Sequence, residues 1–196
     1  MKQIMETDSN DRHRGIRPLK RATWGAAEGS QLLEFALALP FLLILAVGIF
    51  DFGTAYNLKQ ILNNAAREGA RIGTSQPMSD LTQSTPPSVQ VIRDAVVTYL
   101  NNAKVNTSFI GTSMTPAGSF TWTYYSSGNY GLKIERDVLV PTSATGGGMI
   151  VSTTVICTYP YNWTFGFNRI MGLLVPGSSV AGTVPISTDA TMQNLN

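Results

Sequence analysis

The sequence is poor in the residues that most often carry catalysis and metal binding. Its 196 residues include one cysteine, Cys157, and one histidine, His13. A single cysteine excludes an intramolecular disulfide, and Cys157 is expected to be a small buried residue of a strand. Without a second histidine, the chain after His13 can form neither a Ser-His-Asp triad nor a His/Cys zinc site. We therefore expect no enzymatic activity, no cofactor, no metal and no small-molecule substrate.

One pair of carboxylates remains as a catalytic candidate. Glu135 and Asp137 would project from the same face of a strand, next to Lys133 and Arg136. The same pattern is typical of a solvated edge with paired charges, and this second interpretation is the one we favour.

Charged residues are scarce overall and absent from one long stretch. They make up 13% of the chain, and none occurs between Phe35 and Phe50. A helix of about 20 apolar residues spans the roughly 30 Å of a bilayer's hydrocarbon core, so a transmembrane segment is predicted over about 32–52. A buried core helix is the alternative, but such a helix rarely lacks a polar face over this length.

The net charge indicates how such a segment is oriented. The formal charge of +2 lies entirely in residues 1–29, which hold six basic and four acidic side chains. Arg17, Lys20 and Arg21 precede the apolar run within the roughly 15–20 residues over which the positive-inside rule applies. The N-terminus is therefore expected in the cytoplasm and the C-terminal part outside. The balanced charge of the remainder shows no basic face, so we expect no nucleic-acid partner.

A secretory signal peptide is the competing interpretation of the first fifty residues. It requires a short basic region, about 7–15 apolar residues and then a cleavage site of small residues. Here the charged leader is long and Glu34 precedes the apolar core. The best candidate site, Ala46-Val47-Gly48, is followed by more apolar sequence, so a cleavable secretory signal fits poorly.

The junction between the leader and the apolar run resembles the processing site of type IV pilins. The resemblance rests on Gly29 at the junction, followed by Ser30, and on Glu34 five residues after Gly29. It implies that a prepilin peptidase cuts after Gly29 at the cytoplasmic face. Glu34 would then pair with the N-terminal amine of a neighbouring subunit, which offsets the desolvation of both charges and sets the register of the helices. The alternative is an uncleaved anchor with Glu34 in the headgroup zone.

A longer stretch resembles the N-terminal signature of the TadE-like proteins, which are minor pilins of the tight-adherence (Tad, or Flp) pilus machinery. The matching elements run from Glu34 to Arg71. They are Glu34-Phe35-Ala36-Leu37, Pro40, Phe50-Asp51-Phe52-Gly53 and, most specifically, Asn64-Ala65-Ala66-Arg67-Glu68-Gly69-Ala70-Arg71.

This resemblance implies a structural or assembly protein of a Tad-type pilus that takes part in pilus biogenesis and adherence. Its expected partners are the membrane, crossed once, the prepilin peptidase, other minor and major pilins, and the pilus assembly platform. Its expected location is the cytoplasmic membrane, with an exported C-terminal domain, or the outside of the cell as part of a pilus. An uncleaved, membrane-anchored binding module of the cell envelope is the alternative function.

Helical sequence continues beyond the bilayer. Nothing except Pro40 interrupts it up to about Gly73, and Pro40 is expected to kink the helix. Small residues recur at Ala65, Gly69 and Gly73, which predicts a close approach of the protein's own domain or of another helix. The side chains of Arg67 and Arg71 are expected to find partners elsewhere in the domain.

The remaining sequence predicts an α+β fold. We expect a cytoplasmic leader over 1–29, a long helix over 30–73 and an exported domain over 74–196. In that domain, 88–103 has the apolar spacing of an amphipathic helix with Ser88 as its N-cap. Alternating segments after it predict an antiparallel sheet of about three to four strands. These are SFTWTYYS, YGLKIERDV, MIVSTTVICTYPY and VAGTVPISTDATM, with a short helix in NWTFGFNRIMGLL.

Overall fold

The structure, a computed structural model, describes residues 26–141, 149–177 and 182–194. Most of the leader lies outside this range. The chain divides into two compact units, residues 1–41 and 42–196. The first helix contributes its beginning to one unit and the rest to the other.

Helix α1 is the longest element of the structure. It extends over Ala26–Thr74 with Pro40 inside it, close to the limits that the sequence predicted. From Gly29 to Leu43 every residue is exposed, and its most apolar window is 6% buried. The segment is long and apolar enough to cross a membrane. Its exposure disfavours a soluble core helix.

A five-stranded antiparallel sheet follows, confirming the α+β class with more strands than expected. The strands are β1 (Ile110–Gly118), β2 (Thr121–Ser127), β3 (Tyr130–Pro141), β4 (Met149–Tyr161) and β5 (Val184–Gln193). Each strand pairs with the next along the chain, so the order across the sheet is β1-β2-β3-β4-β5. Strand β1 is the one that the sequence pattern did not indicate.

Helix α2 (Pro87–Asn102) is the predicted amphipathic helix, with a different start. Its N-cap is Pro86, so Ser88 lies in the first turn and the expectation that Ser88 caps the helix is wrong. Instead, the backbone amide and the hydroxyl of Ser88 donate to the carboxylate of Asp80, at 2.8 and 2.9 Å. An acid from the preceding loop thus satisfies an amide that the helix itself leaves unpaired.

The hydrophobic core lies between the second half of α1, α2 and one face of the sheet. A Cβ added at Gly69 would lie 2.5 Å from Val96 Cγ2, and one at Gly73 would lie 2.7 Å from Thr153 Cγ2. The stripe of small residues therefore brings α1 against its own domain, which was the simpler of the two expectations. The fully buried apolar side chains are those of Leu62, Ala65, Ala66, Ala70, Val89, Ile92, Val96, Leu100, Leu132, Ile134, Val155 and Cys157.

A bulge in β3 changes the surroundings of the carboxylate pair. The register shifts between Glu135 and Val138, and Asp137 has φ of 58°, so the regular alternation from 135 to 137 is interrupted. Glu135 instead forms an ion pair with Lys133. Arg136, expected at a solvated edge, is 1% exposed and donates from Nη2 to the backbone oxygen of Gln76 at 3.1 Å. Burial lowers the pKa of this guanidinium.

Candidate functional site

The predicted processing site lies in the first part of α1. Ser30 Oγ is 3.4 Å from Glu34 Oε1, a long and therefore weak hydrogen bond within one helical turn. A Cβ added at Gly29 would meet no described atom within 4 Å. Glycine in a helix costs about 0.5–1 kcal/mol relative to alanine. The structure around Gly29 gives no packing reason for that cost.

The specific signature, residues 64–71, divides into a packed face and an exposed face. Ala65, Ala66 and Ala70 are fully buried in the core, and Gly69 lies against α2. The exposed face carries Asn64, Arg67 and Arg71, which share a side of the helix because they are spaced by three and four residues. The small residues of the signature thus serve the packing of α1 on its domain.

Arg71 has its partner in its own helix, contrary to the expectation from the sequence. Its Nε and Nη2 donate to both carboxylate oxygens of Glu68, at 2.8 and 2.5 Å. Residues three apart on a helix are close enough for such a pair. The hydrogen bond from Arg71 lowers the pKa of Glu68 and outweighs the opposing effect of desolvation.

One carboxylate in the described part of the chain has contacts that the sequence pattern did not indicate. Asp51, the first charged residue after the apolar run, is fully buried. Its Oδ1 accepts the backbone amides of Thr164 at 2.9 Å and Phe165 at 2.7 Å, and its Oδ2 accepts the amide of Phe167 at 2.9 Å. We call these three hydrogen bonds the Asp51 clasp. They join α1 to the chain between β4 and β5.

Local backbone geometry brings the three amides together. Helix α3 (Phe167–Leu174) begins after Gly166, whose φ of 89° is in the left-handed region that glycine adopts without strain. This turn directs the amides before and after Gly166 to one point. Asp51 therefore occupies the N-terminus of α3, where unpaired amides and the helix dipole favour a negative charge.

Polar and aromatic contacts surround the clasp. The hydroxyls of Thr54 and Tyr161 lie 2.8 and 3.2 Å from the backbone oxygen of Asp51, and 2.7 Å from each other. Six aromatic rings form contacts with centroid separations of 5.2 to 5.7 Å, in the range of favourable aromatic pairs. They belong to Phe50, Phe52, Tyr161, Trp163, Phe165 and Phe167.

The chemistry of this arrangement is that of a rigid joint. The Asp51 carboxylate already accepts hydrogen bonds from three backbone amides. In the described ranges no group of three or more His, Cys, Asp or Glu side chains could hold a metal ion. Cys157 is buried, and burial raises the pKa of its thiol to about 12. The thiol is therefore protected from reaction at neutral pH.

The first helix contains a segment that matches a known protein family. Residues 29–71 match the model of the TadE-like protein family. The match confirms the resemblance seen in the sequence, begins at Gly29 and includes both Glu34 and the signature at 64–71. No curated protein and no solved structure gives a significant match to the chain. The TadE-like segment coincides with the exposed apolar helix, and together they support an association with a membrane.

Pro40 lies within the TadE-like segment, and α1 is helical on both sides of it. Proline removes one backbone hydrogen bond, which neighbouring helices can accommodate in lipid. The kink at Pro40 stays a prediction.

Proposed function

We propose that the chain is a minor pilin-like component of a Tad-type pilus that serves pilus biogenesis and adherence. Its α1 would cross the cytoplasmic membrane with the N-terminus inside, and its α+β domain would be exported. The observation that carries the proposal is the TadE-like match, which starts at the glycine where pilin processing would cut. The partners would be the prepilin peptidase, other pilins and the assembly platform.

Processing after Gly29 is the first part of the proposal. A glycine that no described side chain requires is consistent with recognition by a peptidase. Direct N-terminal sequencing of the protein extracted from membranes should find Ser30 as the first residue. Gly29→Leu should block cleavage, and Gly53→Leu, at another open glycine of α1, should not. A native N-terminus at Met1 would favour the uncleaved envelope-binding module instead.

Pairing of Glu34 with a subunit amine is the second part. A carboxylate within lipid costs roughly 2.5–3.5 kcal/mol on insertion scales, and a cationic partner offsets that cost. Glu34→Gln and Glu34→Ala should leave membrane insertion unchanged but reduce piliation when expressed in place of the native chain. Gln31→Ala, an exposed polar position in the same turn, is the matched control. Normal piliation by both Glu34 variants would refute the pairing role.

A further inference from the structure

We propose that the α3 segment, residues 162–175, is seated in the outer leaflet of the same membrane that α1 crosses. The inference rests on the membrane span of the proposed function. It requires neither cleavage after Gly29 nor assembly into a pilus. The interaction surface is apolar, and its partner is the lipid bilayer.

The depth of the segment follows from its contact with α1. The uncharged run ends at Asp51, which places the outer boundary of the hydrocarbon near that residue. Gly48 is three residues earlier, or about 4.5 Å along the helix axis. A Cβ added at Gly48 would lie 3.5 Å from Phe167 Cε2. The backbone at the start of α3 is therefore near the level of Asp51, and the Phe167 ring reaches the last apolar turn of α1.

The burial of α1 along this turn agrees with that position. Gly48 is buried, and Ile44, Ala46 and Val47 are partly buried, whereas every residue from Gly29 to Leu43 is exposed. Residues 44, 47, 48 and 51 share one side of a helix. Other residues of the domain thus cover about two turns of the apolar helix, on the side where Phe167 packs.

The Asp51 clasp keeps the segment at this depth. Three amide hydrogen bonds join its first half to α1, and Phe50 and Phe52 contact the rings of Phe165 and Phe167 at 5.7 and 5.3 Å. The segment cannot leave the membrane boundary without breaking these contacts. Its position is therefore determined by the helix that crosses the bilayer.

The outward surface of the segment has the composition of a membrane-interface helix. No residue of α3 is buried, and Leu173 is 83% exposed, followed by the exposed side chains of Leu174 and Val175. The segment contains one charged residue, the exposed Arg169, and no acid. Apolar side chains next to a basic one favour the boundary between acyl chains and lipid phosphates.

Lipid explains this surface better than a second copy of the chain. The exposed leucines follow directly on an element that already lies along the apolar run, so the acyl chains around α1 are their nearest surroundings. Phe165 adds an exposed aromatic side chain, of a type found on the apolar face of interfacial helices. A protein partner would have to displace lipid from both α1 and α3.

The test measures the depth of a spin label in the full-length chain. The chain is reconstituted in vesicles of phosphatidylethanolamine and phosphatidylglycerol and labelled at Leu173→Cys. Leu45→Cys, in the span, and Leu139→Cys, exposed on β3, serve as lipid and water references. The native Cys157 is buried and should stay unlabelled. Accessibility to oxygen and to a water-soluble nickel complex gives the depth.

We expect the Leu173 label to lie about 5–10 Å inside the headgroup boundary, as for other interfacial helices. A label at Leu45 in lipid with a label at Leu173 in water would overturn the inference and leave the span intact. Low accessibility of Leu173 to both reagents would also overturn it, in favour of a protein partner. A label at Leu45 in water would refute the span and with it the inference.

Discussion

Replacing Asp51 by asparagine keeps the size of the side chain and removes its ability to accept three amides. The amide oxygen of asparagine can still accept from Thr164 and Phe165, whose amides both point to Oδ1. The NH₂ group would then face the amide of Phe167, so that two donors oppose each other. One hydrogen bond of the clasp is lost and two become weaker.

The expected cost follows from these three contacts. A hydrogen bond to a charged group contributes about 1.5–3 kcal/mol, and one between neutral groups about 0.5–1.5 kcal/mol. Losing one charged bond and weakening two sums to about 3–6 kcal/mol on this scale. The lower end is the better expectation, because the exposed α3 segment can shift to relieve the opposed donors. A change of about 3 kcal/mol corresponds to roughly a hundredfold in the opening equilibrium.

Hydrogen exchange measured by mass spectrometry reports this opening directly. No residue of α3 is buried, so the segment should detach locally while the core stays folded. Peptides covering residues 162–175 should exchange roughly a hundredfold faster in Asp51→Asn. Peptides from β4 up to Val155 should be unchanged. Asp94→Asn, at an exposed carboxylate of α2, is the matched control.

Unchanged exchange in 162–175 would refute the role of Asp51 as the joint between α1 and α3. Faster exchange throughout the sheet would show that the clasp stabilises the whole domain instead. Asp94→Asn should leave both regions at the native rate.

Two further predictions concern the domain core. Gly69→Ala should destabilise the domain by about 1–3 kcal/mol, because the new Cβ overlaps the side chain of Val96. Gly53→Ala has open space around the new Cβ and should stabilise α1 by about 0.5–1 kcal/mol. Equal midpoints for the two variants in denaturant unfolding would contradict this packing. Burial raises the pKa of both Tyr124 and Cys157 to about 12. The unfolded chain therefore releases these two protons at lower pH than the folded chain does. The free energy of unfolding should fall as pH rises from about 9 to 12, by up to about 1.4 kcal/mol per pH unit for each group. Tyr124→Phe should reduce that fall above pH 10. It should leave the free energy of unfolding at neutral pH unchanged, since the hydroxyl has no hydrogen-bond partner among the described residues. A decrease of more than about 1 kcal/mol at neutral pH would show that the hydroxyl has a partner.

The elements with strong periodicity were predictable from the sequence. Helix α2 and strands β2 to β5 carry apolar residues at regular spacing, and α1 contains a long uncharged run. The hairpin between β2 and β3 turns at Gly128, with φ of 57°. Strand β1 has no such signal. It lies at an edge of the sheet, Ile110 is its one buried residue, and it contains Pro116, which edge strands tolerate.

The candidate site was predictable only where its residues are contiguous in the sequence. The processing motif and the signature are contiguous in the sequence, so both could be recognised. The partners of Asp51 lie more than a hundred residues away, and they are backbone amides, which leave no mark in the side-chain sequence. The available signal was a lone acid between two phenylalanines at the end of the uncharged run, a costly position without partners.

The order of the sheet has a consequence for how the chain folds as it is made. Every hairpin joins neighbouring strands, so each can form soon after its second strand is synthesised. The joint between Asp51 and the segment after β4 spans 113 residues from Asp51 to Thr164. Strands β1 to β4 can therefore pair before the base of the domain, the contact of Asp51 with the segment after β4, has formed. Closing that base is a late step, because the segment after β4 is synthesised only after four of the five strands.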